Sequence, residues 1–147
     1  MTKTQDPLAV ALFSEIFMAD QLARNRLTRA LPKGMELSQF SVLHHLSRSN
    51  DPKTPAQLAK TFNLTRGAMT NTLNKLEWAG HISISPDWED ARRKQVVISP
   101  SGRRACDAAL TAITPLLGKI MDDIGADKIR AMLPVLRELR SRLNDQD

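Results

Sequence analysis

A single cysteine, Cys106, stands in the 147 residues, which excludes an internal disulfide. It lies between Ala105 and two further alanines in a helical stretch, so its expected role is packing rather than redox chemistry. Histidines are as scarce: His44, His45 and His81 are the whole set. Neither a cysteine nor paired carboxylates accompany them at metal-ligand spacing, and adjacent His44 and His45 point to different sides of a helix. No metal and no cofactor is therefore expected. A glycine-rich phosphate loop and a nucleophile with its base are also missing, so the chain is not expected to be an enzyme. No signal peptide and no apolar run of membrane-spanning length is visible, from which a cytoplasmic protein without a membrane partner follows. Repeats and low-complexity runs are absent too, and the length suits one domain, residues 1–147, with a proper core.

What is present in excess is positive charge. The formal net charge is +5 with a pI near 9.8, a balance that favours an acidic partner such as nucleic acid or an anionic membrane.

The most informative stretch runs from Thr54 to Gly80. Thr54-Pro55-Ala56-Gln57 is a capping box with proline at the first helical position, where its missing N–H costs nothing. A short helix carrying Leu58 and Ala59 leads to Phe62-Asn63-Leu64, and Asn63 tolerates the left-handed backbone that a sharp helix-to-helix turn needs. Thr65 caps a second helix. Its apolar residues Met69, Leu73 and Leu76, with Thr72 on the same face, form the stripe of a helix packed on one side only. The opposite face shows Arg66, Gly67, Ala68, Thr70, Asn71, Asn74 and Lys75, with no acid until Glu77. Asparagine pairs with adenine and arginine with guanine in a major groove, while Lys and Thr hold phosphates. Gly80 closes the helix. This is the pattern of a helix-turn-helix DNA reader.

Around it the chain is mostly helical. From Pro7 to Leu31 a helix carries Leu8, Leu12, Phe13, Ile16, Phe17, Leu22, Ala23 and Leu27, more apolar surface than one neighbour covers, which points to a second subunit. Pro32-Lys33-Gly34 breaks it. Ser38 is read as the cap of the next helix, with Phe40, Val42, Leu43 and Leu46 inside and an end near Ser49-Asn50-Asp51-Pro52. After the reader, His81–Ser85 and Lys94–Ile98 alternate apolar and polar residues as a two-stranded hairpin. Its long tip carries Trp88, Arg92 and Arg93, a wing placed to reach DNA. Asp87, Glu89 and Asp90 are the alternative partners of those arginines. Ser99 and Pro100 start a long helix through Pro115, where a kink is expected. Gly125 ends it, and Asp127 is read as the cap of a last helix with Ile129, Met132, Leu133, Leu136 and Leu143 inside.

This order of elements resembles the MarR family of winged helix-turn-helix transcription regulators over nearly the whole chain. The resemblance is carried by Gln57-Leu58-Ala59, by Leu64-Thr65-Arg66-Gly67-Ala68-Met69-Thr70-Asn71 with Leu76-Glu77-Trp78-Ala79-Gly80, and by Asp90-Ala91-Arg92 followed by Val96-Val97-Ile98-Ser99-Pro100-Ser101-Gly102. The last is similar to the family's wing, an Asp-x-Arg tip, a strand, then Leu-Thr-x-x-Gly, with Ile98-Ser99 standing for Leu-Thr. The resemblance implies a mainly α fold: a DNA-binding core and wing over 38–100, and dimerisation helices over 5–31 and 101–145. It implies a homodimer on double-stranded DNA, with recognition helices in successive major grooves of a pseudo-palindromic operator and Arg92 in the flanking minor groove. It further implies a repressor that releases DNA when a small aromatic or anionic effector acts on it. Asn71 stands where many members carry arginine, so base preference does not carry over. No cysteine lies in the first helix where peroxide-sensing members have theirs. Trp88 at the wing is unusual.

The expected DNA contacts are Thr65, Arg66, Gly67, Ala68, Thr70, Asn71, Lys75, Arg92 and Arg93. Phe13, Phe17, Phe40 and His44 are the expected lining of an effector pocket. The competing function class is a winged-helix protein-interaction module without DNA. The basic, polar residues Arg66, Asn71, Lys75 and Arg92 weigh against it, since protein-binding faces favour apolar groups.

Overall fold

The computed structural model describes residues 6–90 and 93–145, and within them the chain forms six helices and one two-stranded sheet. Two compact units divide the chain, Met1–Ala112 and Ile113–Asp147.

The first unit opens with α1 (Pro7–Ala30), started by Asp6, whose carboxylate accepts from the N–H groups of Leu8 and Ala9. None of its residues is buried, and Leu8, Leu12, Phe17 and Leu22 all lie exposed. The surplus apolar surface expected of this helix is thus real in the single chain. α2 (Leu37–Ser47) begins earlier than the sequence suggests. Glu36, not Ser38, is its N-cap: the Glu36 N–H donates to Gln39 Oε1 at 2.7 Å, and Ser38 already lies inside the first turn. The preference of serine for caps is outweighed here by a glutamine three residues on that takes up the free N–H. α2 also closes at Ser47, short of the expected stop at residues 49–52.

α3 (Pro55–Thr61) and α4 (Arg66–Trp78) form the helix-turn-helix. β1 (Ile82–Pro86) and β2 (Lys94–Ile98) pair antiparallel, Ile82 opposite Ile98 and Ile84 opposite Val96. Lys53 adds a bridge to the far side of β2 through mutual backbone bonds with Val96, at 2.7 and 3.3 Å. This non-local link has no local sequence signal. α5 (Pro100–Ile124) runs unbroken through Pro115 and spans the boundary between the units. Ser99 caps it as expected, its hydroxyl accepting from the Gly102 N–H at 3.0 Å and donating to the Gly80 carbonyl at 2.6 Å.

The core of this unit is built from one face of each element: Val42 and Leu43 of α2, Leu58 of α3, Met69, Leu73 and Leu76 of α4, Val96 of β2 and Cys106 of α5 are almost wholly buried. The Cys106 thiol reaches the Ser47 hydroxyl at 3.9 Å, and burial pushes it above its ordinary range. Packing fits this environment.

In the second unit, α6 (Ala126–Asn144) follows a tight break at Gly125, which has φ 102°. Gly125 is the N-cap, not Asp127. Only glycine adopts that backbone freely, so the turn is made by the main chain and no capping side chain is used. Asp127 sits in the first turn and pairs instead with Arg130 at 3.3 Å. α6 buries none of its residues, and Met132, Leu133, Val135 and Leu143 are exposed. No described helix is long and apolar enough to cross a membrane.

Candidate nucleic-acid interface

The turn between α3 and α4 is made by backbone bonds that the sequence permits at one residue. After the Phe62 C-cap, Asn63 takes φ 51°, the only positive value at a non-glycine residue among those described. Its N–H then donates to the Lys60 carbonyl at 3.1 Å and that of Leu64 to the Ala59 carbonyl at 2.9 Å. These are the two bonds of a Schellman closure. α4 ends by the same device with glycine in the special position: Gly80 (φ 79°) donates to Glu77 at 2.9 Å and His81 to Leu76 at 2.9 Å. The helix starts are fixed by side chains. Thr54 Oγ1 accepts from the Gln57 N–H at 3.1 Å while Gln57 Oε1 accepts from the Thr54 N–H at 2.9 Å. Thr65 Oγ1 accepts from the Ala68 N–H at 3.1 Å. All four helix ends of the reader are therefore set by local chemistry, which leaves α4 with a defined roll about its axis.

That roll sends Met69, Thr72, Leu73 and Leu76 into the core and leaves Arg66, Gly67, Ala68, Thr70, Asn71, Asn74, Lys75, Glu77 and Trp78 exposed. Two of the expected contacts have part of their hydrogen-bonding capacity engaged. The Thr65 hydroxyl holds the cap, and the Lys75 ammonium pairs with the Glu36 carboxylate at 2.9 Å, a half-exposed link from α4 to the start of α2.

Between the start of α3, the outer face of α4 and the start of β2 lies a groove of about 440 Å³ lined by Thr54, Pro55, Ala56, Arg66, Thr70, Arg93 and Lys94. Among the described residues, three cations and no carboxylate line it. Two bonds close the tip of the wing: the Asp87 N–H donates to the Arg93 carbonyl and the Arg93 N–H to the Asp90 carbonyl, both at 2.9 Å. Arg66, Thr70 and Arg93 are thus brought together. Lys94 joins them without having been singled out from the sequence, because only the strand pairing shows that it faces the groove. Arg92 lies outside the described residues.

The residues expected to line an effector pocket occur as two ring pairs, Phe13 with Phe17 at 6.1 Å between centroids and Phe40 stacked on His44 at 5.7 Å. A second cavity, of about 240 Å³, is lined elsewhere, by the α1–α2 connection (Pro32, Lys33, Gly34, Met35), Gln39, the end of α4 (Leu76, Ala79), His81, and Ala105 and Ala108 of α5. His81 Nδ1 lies 3.1 Å from the Ser101 hydroxyl.

Residues 33–93 match the profile of the MarR family. Over 144 residues the chain is 25% identical to the transcriptional activatory protein BadR of Rhodopseudomonas palustris, covering 95% of this chain and 82% of BadR. Among solved structures, the transcriptional regulator BldR of Sulfolobus solfataricus superposes with a TM-score of 0.83 at 25% identity, over 97% of this chain and 99% of BldR. A mutant of MarR from E. coli, complexed with operator DNA, shares the fold with a TM-score of 0.79 at 23% identity, over 92% and 99% of the two chains. Motif, profile, relatives and fold point the same way: residues 33–93 match the MarR family, and over nearly its whole length the chain is similar to helix-turn-helix transcriptional regulators with the winged fold.

Proposed function

We propose that this regulator binds a pseudo-palindromic operator as a homodimer, reads bases with Arg66, Thr70 and Asn71, and holds the sugar-phosphate backbone with Arg93 and Lys94. The observation that carries the reading is the groove between α4 and the wing, whose described lining holds three cations and no carboxylate beside an exposed, polar helix face. Phosphate oxygens are recognised by such clusters, and base edges by the Asn and Arg side chains beside them. In this reading Arg92 extends the wing contact, Gly67 and Ala68 let the helix backbone approach the DNA closely, and Lys75 exchanges Glu36 for a phosphate. Support for DNA as the partner comes also from the shared fold of E. coli MarR, which was solved on its operator. Two α4 helices on one face of B-DNA must lie about 34–36 Å apart to enter successive major grooves. The exposed apolar residues of α1 and α6 favour a second copy as what covers them.

The regulator works as a repressor by occupying DNA that the transcription machinery needs, and an effector relieves it. The second cavity is better formed for that effector than the two ring pairs. Its wall is largely apolar, Lys33 offers a charge for a carboxylate, and Leu76, Ala79 and His81 sit where α4 hands over to the wing. A small aromatic acid seated there alters the end of the reading helix directly. Occupancy then raises the melting temperature and weakens DNA binding together, since coupling between two sites is reciprocal.

Recovering DNA with the purified protein from its fragmented genome tests the reading. Enrichment of a few fragments sharing an inverted repeat supports it, and uniform recovery at all salt concentrations contradicts it.

A further inference from the structure

Trp88 is 99% exposed, the most exposed large apolar side chain among those described, and it sits on the wing. A bare indole on a floppy loop would mean little, but this one is mounted. The Asp87 carboxylate accepts from the Glu89 N–H at 3.0 Å, an Asx turn with Trp88 at its centre. The Asp87 N–H is in turn bound to the Arg93 carbonyl at 2.9 Å, so the turn is fastened to a residue that lines the cationic groove. The turn that carries the ring is therefore bonded to Arg93, the neighbour of Lys94 in the groove lining.

We propose that Trp88 is a DNA contact of the wing, its ring lying on the sugar edge of the duplex that flanks the site read by α4. This rests on the DNA-binding reading above and adds an apolar contact to it. Charge on the wing tip balances in the sequence, Asp87, Glu89 and Asp90 against Arg92, Arg93 and Lys94. Attraction between phosphates and the tip as a whole is accordingly weak, and an uncharged ring against deoxyribose or an opened base step is the contact that such a tip makes well. Aromatic side chains stack on nucleotides with little regard to sequence, and apolar wedges in narrow grooves are a common way to hold bent DNA. The contact widens the footprint beyond the bases that α4 reads without adding base specificity.

The chain has two tryptophans, so Trp78→Phe leaves Trp88 as the sole fluorophore and Trp88→Phe leaves Trp78. The probe is a duplex recovered by the wild-type protein from a random-sequence pool. With Trp88 alone, adding this duplex should quench or shift the emission. Trp88→Ala should bind on the order of tenfold more weakly, with an unchanged salt slope, because no phosphate is neutralised by an indole. Its melting temperature should equal that of the wild type, since the ring packs against almost nothing in the protein. Unaltered emission of the lone Trp88 and wild-type affinity of Trp88→Ala, with the wild type still binding the duplex, would overturn the proposal while leaving the DNA-binding reading in place; the ring would then serve a protein partner. A fall in melting temperature along with affinity overturns it as well, since the ring would then be structural. Recovery of no duplex by the wild type removes the DNA-binding reading and this contact with it.

Discussion

Gly102 is the glycine with least room for a side chain. A Cβ built there collides with the carbonyl oxygen of His81 and crowds the Ile98 side chain. Both neighbours belong to the junction that ties the end of α4 and the sheet to the start of α5. Gly102→Ala should therefore destabilise by roughly 1–3 kcal/mol, the usual cost of overpacking, read as a lower midpoint in chemical denaturation. Equal stability would mean that the junction yields more easily than its hydrogen bonds suggest. Asn71 predicts the opposite kind of effect. Exposed and outside the core, it should leave stability alone when changed to alanine, yet cost roughly 1–3 kcal/mol on the cognate duplex and relax preference at particular positions. Competition binding against single-base operator variants reads that out. His45 carries a pH dependence. Burial, then the positive charges of Lys53, Arg48 and His44, hold its imidazole below the ordinary range, and its ring meets Phe62 edge-on at 5.5 Å. With the folded-state pKa depressed, the neutral ring stabilises the fold above about pH 6.5, and that stabilisation is lost as pH falls through the lowered value. Denaturation midpoints for wild type and His45→Gln should converge in acid and part near neutrality. Parallel curves would show that the imidazole is not the group responsible.

Among the elements, the reader is legible in the sequence because its signals are local. Thr54 with Gln57, Asn63, Thr65 and Gly80 each act within a few residues, through caps and left-handed turns that particular side chains favour. The caps of α2 and α6 fall elsewhere than expected for the complementary reason. Ser38 and Asp127 are typical cap residues, but Gln39 reaching back to Glu36 and the positive φ of Gly125 decide those starts instead. What joins distant segments is not legible at all. The Lys53 bridge to Val96, the Lys75 pair with Glu36 across 39 positions, and the groove that unites Thr54 with Lys94 exist only once the chain is folded. The groove gives the element its own prediction. If Arg93 and Lys94 neutralise phosphates, changing either to alanine should lower the salt slope of operator binding by about one unit for each phosphate no longer neutralised, hence about two in a dimer. Slopes equal to wild type in both variants would take the wing cations out of the interface.

For the whole molecule, the apolar residues that α1 and α6 leave exposed matter most. Leu8 and Phe17 are 80% and 67% exposed, and Leu143 of α6 is 67%. A soluble chain seldom leaves so many large side chains in water, and a second copy explains them with no further partner. A chain ending at Gly125 should sediment as a monomer or aggregate and bind operator poorly; a well-folded dimer from that truncation would place the subunit contact elsewhere. Whether the α4 face reads DNA sequence is tested most directly by a pair of binding isotherms for the wild-type protein at physiological salt, one on the duplex it selects and one on the same duplex with the inverted repeat scrambled. Sequence-specific regulators separate such duplexes by roughly 10³-fold or more, and a gap of that order is the result expected here. Equal affinities, falling together as salt rises, would mean that the basic groove holds any nucleic acid and that α4 reads none of it.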